Sequence, residues 1–208
     1  MLLKLAAPVF ASFVLASMPV SASLLKLDFE TPTSFASIDR HYGGGTDSAG
    51  VASSDLGLAF GLDVLALKND ALATYFLNAP SGVGAMTVVG PAAVMNVASG
   101  FLALTLSYSS VSAVSNALQV WSGVDGSGTL LGSLSLGANG SSDGCTGSSL
   151  CHWNVLSLGG FGQRAHSVSF GNATNVAVFD DLSLNVPEPA SVLLVALGLA
   201  GLAATRRR

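Results

Sequence analysis

Between residues 23 and 185 no stretch of this chain sustains a helical apolar period, and that limits its architecture more than any other feature. Apolar and polar residues alternate instead in short runs, each closed by Gly, Asn, Asp or Pro. Such runs fall at 24–30, 56–60, 62–67, 74–77, 86–89, 94–97, 101–108, 118–122, 129–136, 153–158, 165–170 and 176–184. In the first, Leu25, Leu27 and Phe29 point one way and Lys26, Asp28 and Glu30 the other. In 101–108, Leu102, Leu104, Leu106 and Tyr108 share one face. The runs 118–122 and 129–136 flank Val124-Asp125-Gly126-Ser127-Gly128, turn residues that tolerate positive φ, so they predict a hairpin. Strands this short, with turn signals about every 8–12 residues, predict an all-β fold, an antiparallel β-sandwich or jelly roll.

Both ends of the chain read as targeting segments. Residues 1–22 carry Lys4, an apolar stretch from Leu5 to Met18, Pro19, and the small residues Val20-Ser21-Ala22. That order predicts an N-terminal signal peptide cut after Ala22. At the other end, Val186-Pro187-Glu188-Pro189 precedes an apolar segment from Ala190 to Ala204 and a basic end, Arg206-Arg207-Arg208. The two prolines predict an extended, accessible strip around Glu188. The segment Ala190–Thr205 predicts a C-terminal single transmembrane helix of about 24 Å, short of a ~30 Å hydrocarbon core. The three arginines can snorkel and favour the cytoplasmic side. The organisation is therefore a signal peptide at 1–22, a β-sandwich domain at 23–185 and a sorting segment at 186–208.

The tail resembles the PEP-CTERM sorting signal of exported bacterial proteins, on the strength of Pro187-Glu188-Pro189, the short apolar span and the terminal arginines. The resemblance implies an exosortase-type membrane protease-transpeptidase as partner. It also implies transient anchoring in the inner membrane, then passage to the cell surface or extracellular matrix. Pro187, Glu188, Pro189, Arg206, Arg207 and Arg208 then form a recognition site for another enzyme, not a catalytic site of this chain.

The central domain holds eleven acids against four bases, a net charge of −7 that the whole-chain value of −4 conceals. An acidic domain without a basic patch argues against nucleic acid as a partner. Cys145 and Cys151 lie in one Gly/Ser-rich loop and in an exported chain are expected to form a disulfide. The competing reading, a metal site with His152 as third ligand, lacks a usual zinc spacing.

The opening Leu27-Asp28-Phe29-Glu30, the hairpin around Gly126-Ser127-Gly128, Trp153 and the closing Phe179-Asp180-Asp181-Leu182 together resemble carbohydrate-binding jelly rolls. That resemblance implies that the first and last strands meet, and that Asp28, Glu30, Asp180 and Asp181 gather at a structural Ca2+. Only one of Asp180 and Asp181 can face inwards on a regular strand. The alternative is that all four are solvated carboxylates that discourage edge-to-edge pairing. No other cofactor is implied. For glycan contact, Tyr42 in the glycine loop 42–45 and Trp121 are the candidates, since sugar rings stack on aromatics. Trp121 and Trp153 can alternatively fill the core.

Gly140-Ser141-Ser142-Asp143-Gly144 matches a nucleophile-elbow pattern without the strand and helix that the motif needs. His41, His152 and His166 show no ligand spacing. The expected function is that of a non-enzymatic surface or matrix protein associated with exopolysaccharide. A purely adhesive matrix protein without a glycan site is the alternative. A polysaccharide hydrolase would need two carboxylates across a cleft, which nothing in the sequence places.

Overall fold

The computed structural model describes residues 22–71, 73–187 and 198. The predicted signal peptide before Ala22, the tail positions 188–189 and Arg206–Arg208, and all of the predicted transmembrane helix but residue 198 lie outside the described residues. Among the described residues no helix is long and apolar enough to cross a membrane.

Among the described residues, eleven strands form two antiparallel sheets. The first sheet contains β1 (Ala22–Leu27), β3 (Val64–Lys68), β4 (Gly84–Val88), β6 (Ala103–Ser110), β9 (Asn154–Gly159) and β11 (Ala177–Pro187). The second contains β2 (Leu58–Phe60), β5 (Val94–Phe101), β7 (Val114–Trp121), β8 (Leu130–Leu136) and β10 (Ala165–Ser169). Their orders are β3-β4-β11-β6-β9, with β1 also on β11, and β2-β5-β10-β7-β8. A 3-10 turn at Gly171–Ala173 joins β10 to β11.

The predicted alternation accounts for the core. β6 sends Leu104, Leu106 and Tyr108 inward, and β11 sends Phe179, Leu182 and Leu184 to meet Met95 and Val97 of β5 and Leu118 and Val120 of β7. Phe170 and Phe179 pack edge to face, 5.3 Å between centroids. Each fully buried phenylalanine stabilises the fold by about 1.5–3 kcal/mol relative to exposure. A second, smaller cluster of Leu67, Phe76, Ala85 and Val178 lies apart from this core, with Trp153 packed edge-on against Phe76.

The predicted hairpin is present as β7 and β8, and the first and last strands do pair, β1 with β11. Two expectations are corrected. The run 101–108 is not one strand. Phe101 ends β5 in the second sheet, Leu102 turns the chain, and β6 starts at Ala103 in the first sheet. Residues 74–77 form no strand, because the Asn69 carboxamide takes their main-chain bonds. Its Oδ1 accepts from Tyr75 N, and its Nδ2 donates to Phe76 O.

Along β11, β6 occupies one edge from Ala177 to Asn185. On the opposite edge β4 pairs at Val178–Phe179 and β1 from Leu182 to Pro187. Asp180 and Asp181 fill the gap between these two partners. Asp181 is the extra residue of a β-bulge, since Asp180 pairs with Ser107 and Ser183 already pairs with Thr105. Its φ of 50° is left-handed, which aspartate tolerates better than most residues.

Candidate functional site

At the gap in β11 the four predicted calcium carboxylates go separate ways. Asp180 is completely buried. It accepts hydrogen bonds from the Ser81 backbone N–H at 3.0 Å, the Ser81 hydroxyl at 2.8 Å and the Asp181 N–H. Burial pushes its carboxyl up to about 6, only partly opposed by these donors. Asp181 turns away through the bulge and pairs with Lys26 at 2.9 Å. That pairing, first by hydrogen bond and then by charge, raises the Lys26 ammonium pKa. Glu30 accepts from Val83 N and Gly84 N, and Asp28 accepts from Glu30 N.

The expectation that Asp28, Glu30, Asp180 and Asp181 gather is therefore corrected. Among the described residues no group of three or more His, Cys, Asp or Glu side chains is placed to hold a metal ion. Each of the four accepts from a protein donor, and a cation stands beside them: Lys68 Nζ donates to the Glu30 carbonyl at 2.6 Å. The role of this junction in the fold is to seat the segment 81–84 where β1 gives way to β4.

Tyr42 is corrected too. It is buried, edge-on to Phe29 and His41 and tilted against Phe60. Its carbonyl accepts from Leu56 N, tying the glycine loop to the chain entering β2. Gly43 permits this approach, since a Cβ there would stand 2.9 Å from the Leu58 carbonyl oxygen. Burial pushes the Tyr42 phenol pKa well above its ordinary value. Such a ring has no face to offer a ligand.

Trp121, near the end of the β7–β8 hairpin, is half-buried, and its indole N–H is enclosed without a partner among the described residues. The hairpin tip folds onto the outer face of the second sheet. Asp125 N donates to Asn96 Oδ1 and Asn96 Nδ2 to Asp125 Oδ1, while Gly126 N donates to Ser167 Oγ. Trp153, unlike Trp121, has its indole N–H satisfied, by the Leu77 carbonyl at 2.8 Å. Cys145 and Cys151 are disulfide-bonded, as expected. In the same loop His152 pairs with Asp143 at 2.8 Å. No hydrogen bond joins it to Ser142 among the described residues, and no strand–turn–helix surrounds that serine.

The accessible aromatic pair lies elsewhere. Phe35 is 55 % exposed and meets Tyr75 edge to face, centroids 5.2 Å apart. Phe35 has a φ of 62°, a left-handed conformation that costs a bulky residue on the order of 1–3 kcal/mol. The loop imposes it: Phe35 N donates to Ala66 O, and the neighbouring Ser34 hydroxyl accepts from Lys68 N. The two rings border a groove of about 380 Å3 lined also by Thr87, Val89, Leu150 and Asn175, with no ionisable side chain except the tyrosine. Val89 and Val111 at its rim are exposed as well.

This groove sits beside the start of β11, at Ala177 and Val178. Pro187 ends the same eleven-residue strand. At about 3.3 Å per residue, roughly 33 Å separate the groove from the point where the tail begins. Sequence reading singles out Tyr42 and Trp121 and passes over Phe35. Its one signal is an isolated aromatic in Thr31-Pro32-Thr33-Ser34-Phe35, outside any alternating run.

No curated protein matches the chain. Among solved structures, the chain is similar to the K2 cleaved adhesin domain of Lys-gingipain, with a TM-score of 0.47 and 11% identity over 79% of this chain and 100% of that one. It is also similar to the CBM22-1 xylan-binding domain from Paenibacillus barcinonensis Xyn10C, at 0.44 and 9% over 83% and 100%. A family 6 carbohydrate-binding module is similar at 0.37 and 14% over 81% and 99%. A family model described as the PEP-CTERM protein-sorting motif matches residues 185–208. The chain carries that sorting motif, and the motif implies an exported protein that is sorted at the membrane by an exosortase.

Proposed function

We propose that this is a surface or extracellular-matrix protein whose β-sandwich associates with exopolysaccharide without cleaving it, through the groove at Phe35 and Tyr75. The observation that carries this reading is Phe35 itself. An aromatic ring held exposed in a strained backbone conformation is costly, and a fold that keeps it gains from displaying it. The groove beside it suits a sugar: ring faces for C–H surfaces, Thr87 and Asn175 for hydroxyls, and no carboxylate or ammonium at the lining. Its distance from the tail leaves it presented outward when the tail is at the membrane.

The test is affinity electrophoresis of the processed protein in gels containing the producing host's own neutral exopolysaccharide. Retardation that disappears in Phe35→Gly and persists in Trp121→Phe supports the reading. Equal mobility of wild type and Phe35→Gly would leave a purely adhesive matrix protein. Shortening of the polymer, abolished by a single carboxylate substitution, would make it a hydrolase.

A further inference from the structure

The pairing of β1 with β11 brings two distant processing positions side by side. Ala22, after which the signal peptide is predicted to be cut, pairs with Pro187, the first proline of the sorting motif. Ser23 pairs with Val186 and Leu24 with Asn185. The Ser23 hydroxyl also donates to the Val186 carbonyl at 3.4 Å. Val186 and Pro187 are thus extended, as the two prolines predict, but they are not accessible: Val186 is half-buried and Pro187 buried.

The two edges of this terminal stretch differ. On one, β6 stops pairing at Asn185, where Leu102 N donates to the Asn185 carbonyl. Beyond that point β1 is the only strand paired with β11 among the described residues. On β1 itself Ala22, Ser23 and Leu24 are exposed, Leu24 at 73 %, whereas Leu27 is 2 % exposed and belongs to the core. Once Ala22 has left with the signal peptide, the Ser23–Val186 and Leu24–Asn185 pairs can therefore open while Leu27 stays in place, a local event that leaves the core intact.

Enzymes that act on peptide bonds take their substrate as a separate extended strand, recognised through main-chain groups at a free edge. Here β1 fills one edge of the residues entering the motif and ties them into the sheet, so they are not a separate strand. We propose that Ser23 and Leu24, the first residues left by the predicted cut, form part of the sorting substrate, as a clamp over Asn185 and Val186 that must open before an exosortase-type enzyme can engage the motif that follows. The inference rests on the sorting reading above. It adds that the N-terminal residues left by signal-peptide removal set the rate of the C-terminal reaction.

A disulfide across the Ser23–Val186 pair tests this in the full chain, in a host that processes the wild type. Directly opposed antiparallel residues have Cα atoms about 4.5–5.5 Å apart, within the range a disulfide spans. The double variant Ser23→Cys/Val186→Cys is expected to accumulate uncut at the membrane, with conversion at least tenfold slower than the single variant Val186→Cys. Reducing the bond in isolated membranes restores conversion. Leu24→Pro, which weakens the pairing from the β1 side, accelerates it at least twofold. Conversion of the bonded variant at the rate of Val186→Cys overturns the clamp. If the wild type itself is not converted beside a known exosortase substrate in the same cells, the sorting reading falls, and the clamp with it.

Discussion

Ser81 donates both its backbone N–H and its hydroxyl to the completely buried carboxylate of Asp180, at 3.0 and 2.8 Å. Three donors do not offset the loss of water, and the carboxyl rises from 3.8 to about 6. Because the folded state holds this proton more tightly than the unfolded chain, the contribution is fully present below pH 3.8. It is lost as pH rises through 6, by up to about 3 kcal/mol. Asp47 works in the opposite sense. Backbone N–H groups of Thr33, Ala49 and Val51 hold its carboxyl below the usual value despite burial, so its contribution is lost on acidification below pH 3.8. Urea unfolding at a series of pH values should show greatest stability near pH 4–5. In Asp180→Asn the decline towards pH 7 should flatten, and an unchanged slope would assign it to other groups.

Lys68 stands where the strand junction needs positive charge. Its ammonium donates to the Glu30 carbonyl, and its backbone N–H to the Ser34 hydroxyl. Lys68→Met keeps the stem and removes the donor, at an expected cost of about 1–2 kcal/mol. A strong chelator should leave the wild-type Tm unchanged. A chelator-induced fall in calorimetry would mean that a metal, not the lysine, neutralises the junction.

Gly84 opens β4 against the end of β1. A Cβ there would collide with the Phe29 carbonyl oxygen and stand 2.7 Å from its carbon, and neither backbone atom can swing aside. Gly84→Ala is expected to destabilise by at least about 2 kcal/mol in denaturant titration, through displacement of the 28–30 segment. Gly144→Ala is the comparison: open space surrounds its Cβ position, so only its φ of +65° opposes the change, at about 1 kcal/mol.

Phe35 separates binding from stability. Phe35→Gly relieves the left-handed strain but frees the unfolded chain, and the two effects nearly cancel, so Tm should move by no more than about 3 °C. Retardation by exopolysaccharide should vanish in the same variant. A large loss of stability would show that the ring is a packing element.

The strands were legible wherever one face meets the core. The alternation at Leu104, Leu106 and Tyr108 is a local property of the chain, and it survives folding unchanged. The hairpin was legible for the same reason, since Asp125, Gly126 and Gly128 do take positive φ at the turn. What escaped depends on contacts between distant residues. Tyr42 turns inward because Phe29 and Phe60 wait there and Gly43 lets the backbone close in. That only one of Asp180 and Asp181 faces inward was legible, but which one depends on a bulge opposite β6 that no spacing along residues 176–184 announces. Phe35 escaped because an exposed aromatic held by its loop has no period to betray it.

β11 is the final strand of the sandwich, yet it lies inside its sheet, bonded to β6 on one edge and to β1 and β4 on the other. Its pairing with β1 closes a loop of more than 150 residues, a slow step set by chain entropy. Until residues 177–187 arrive, three strands lack the neighbour that joins them. A chain crossing a membrane N-terminus first therefore stays incompletely folded, and easy to thread, until nearly all of it is across. Its order of strands defers folding to the far side.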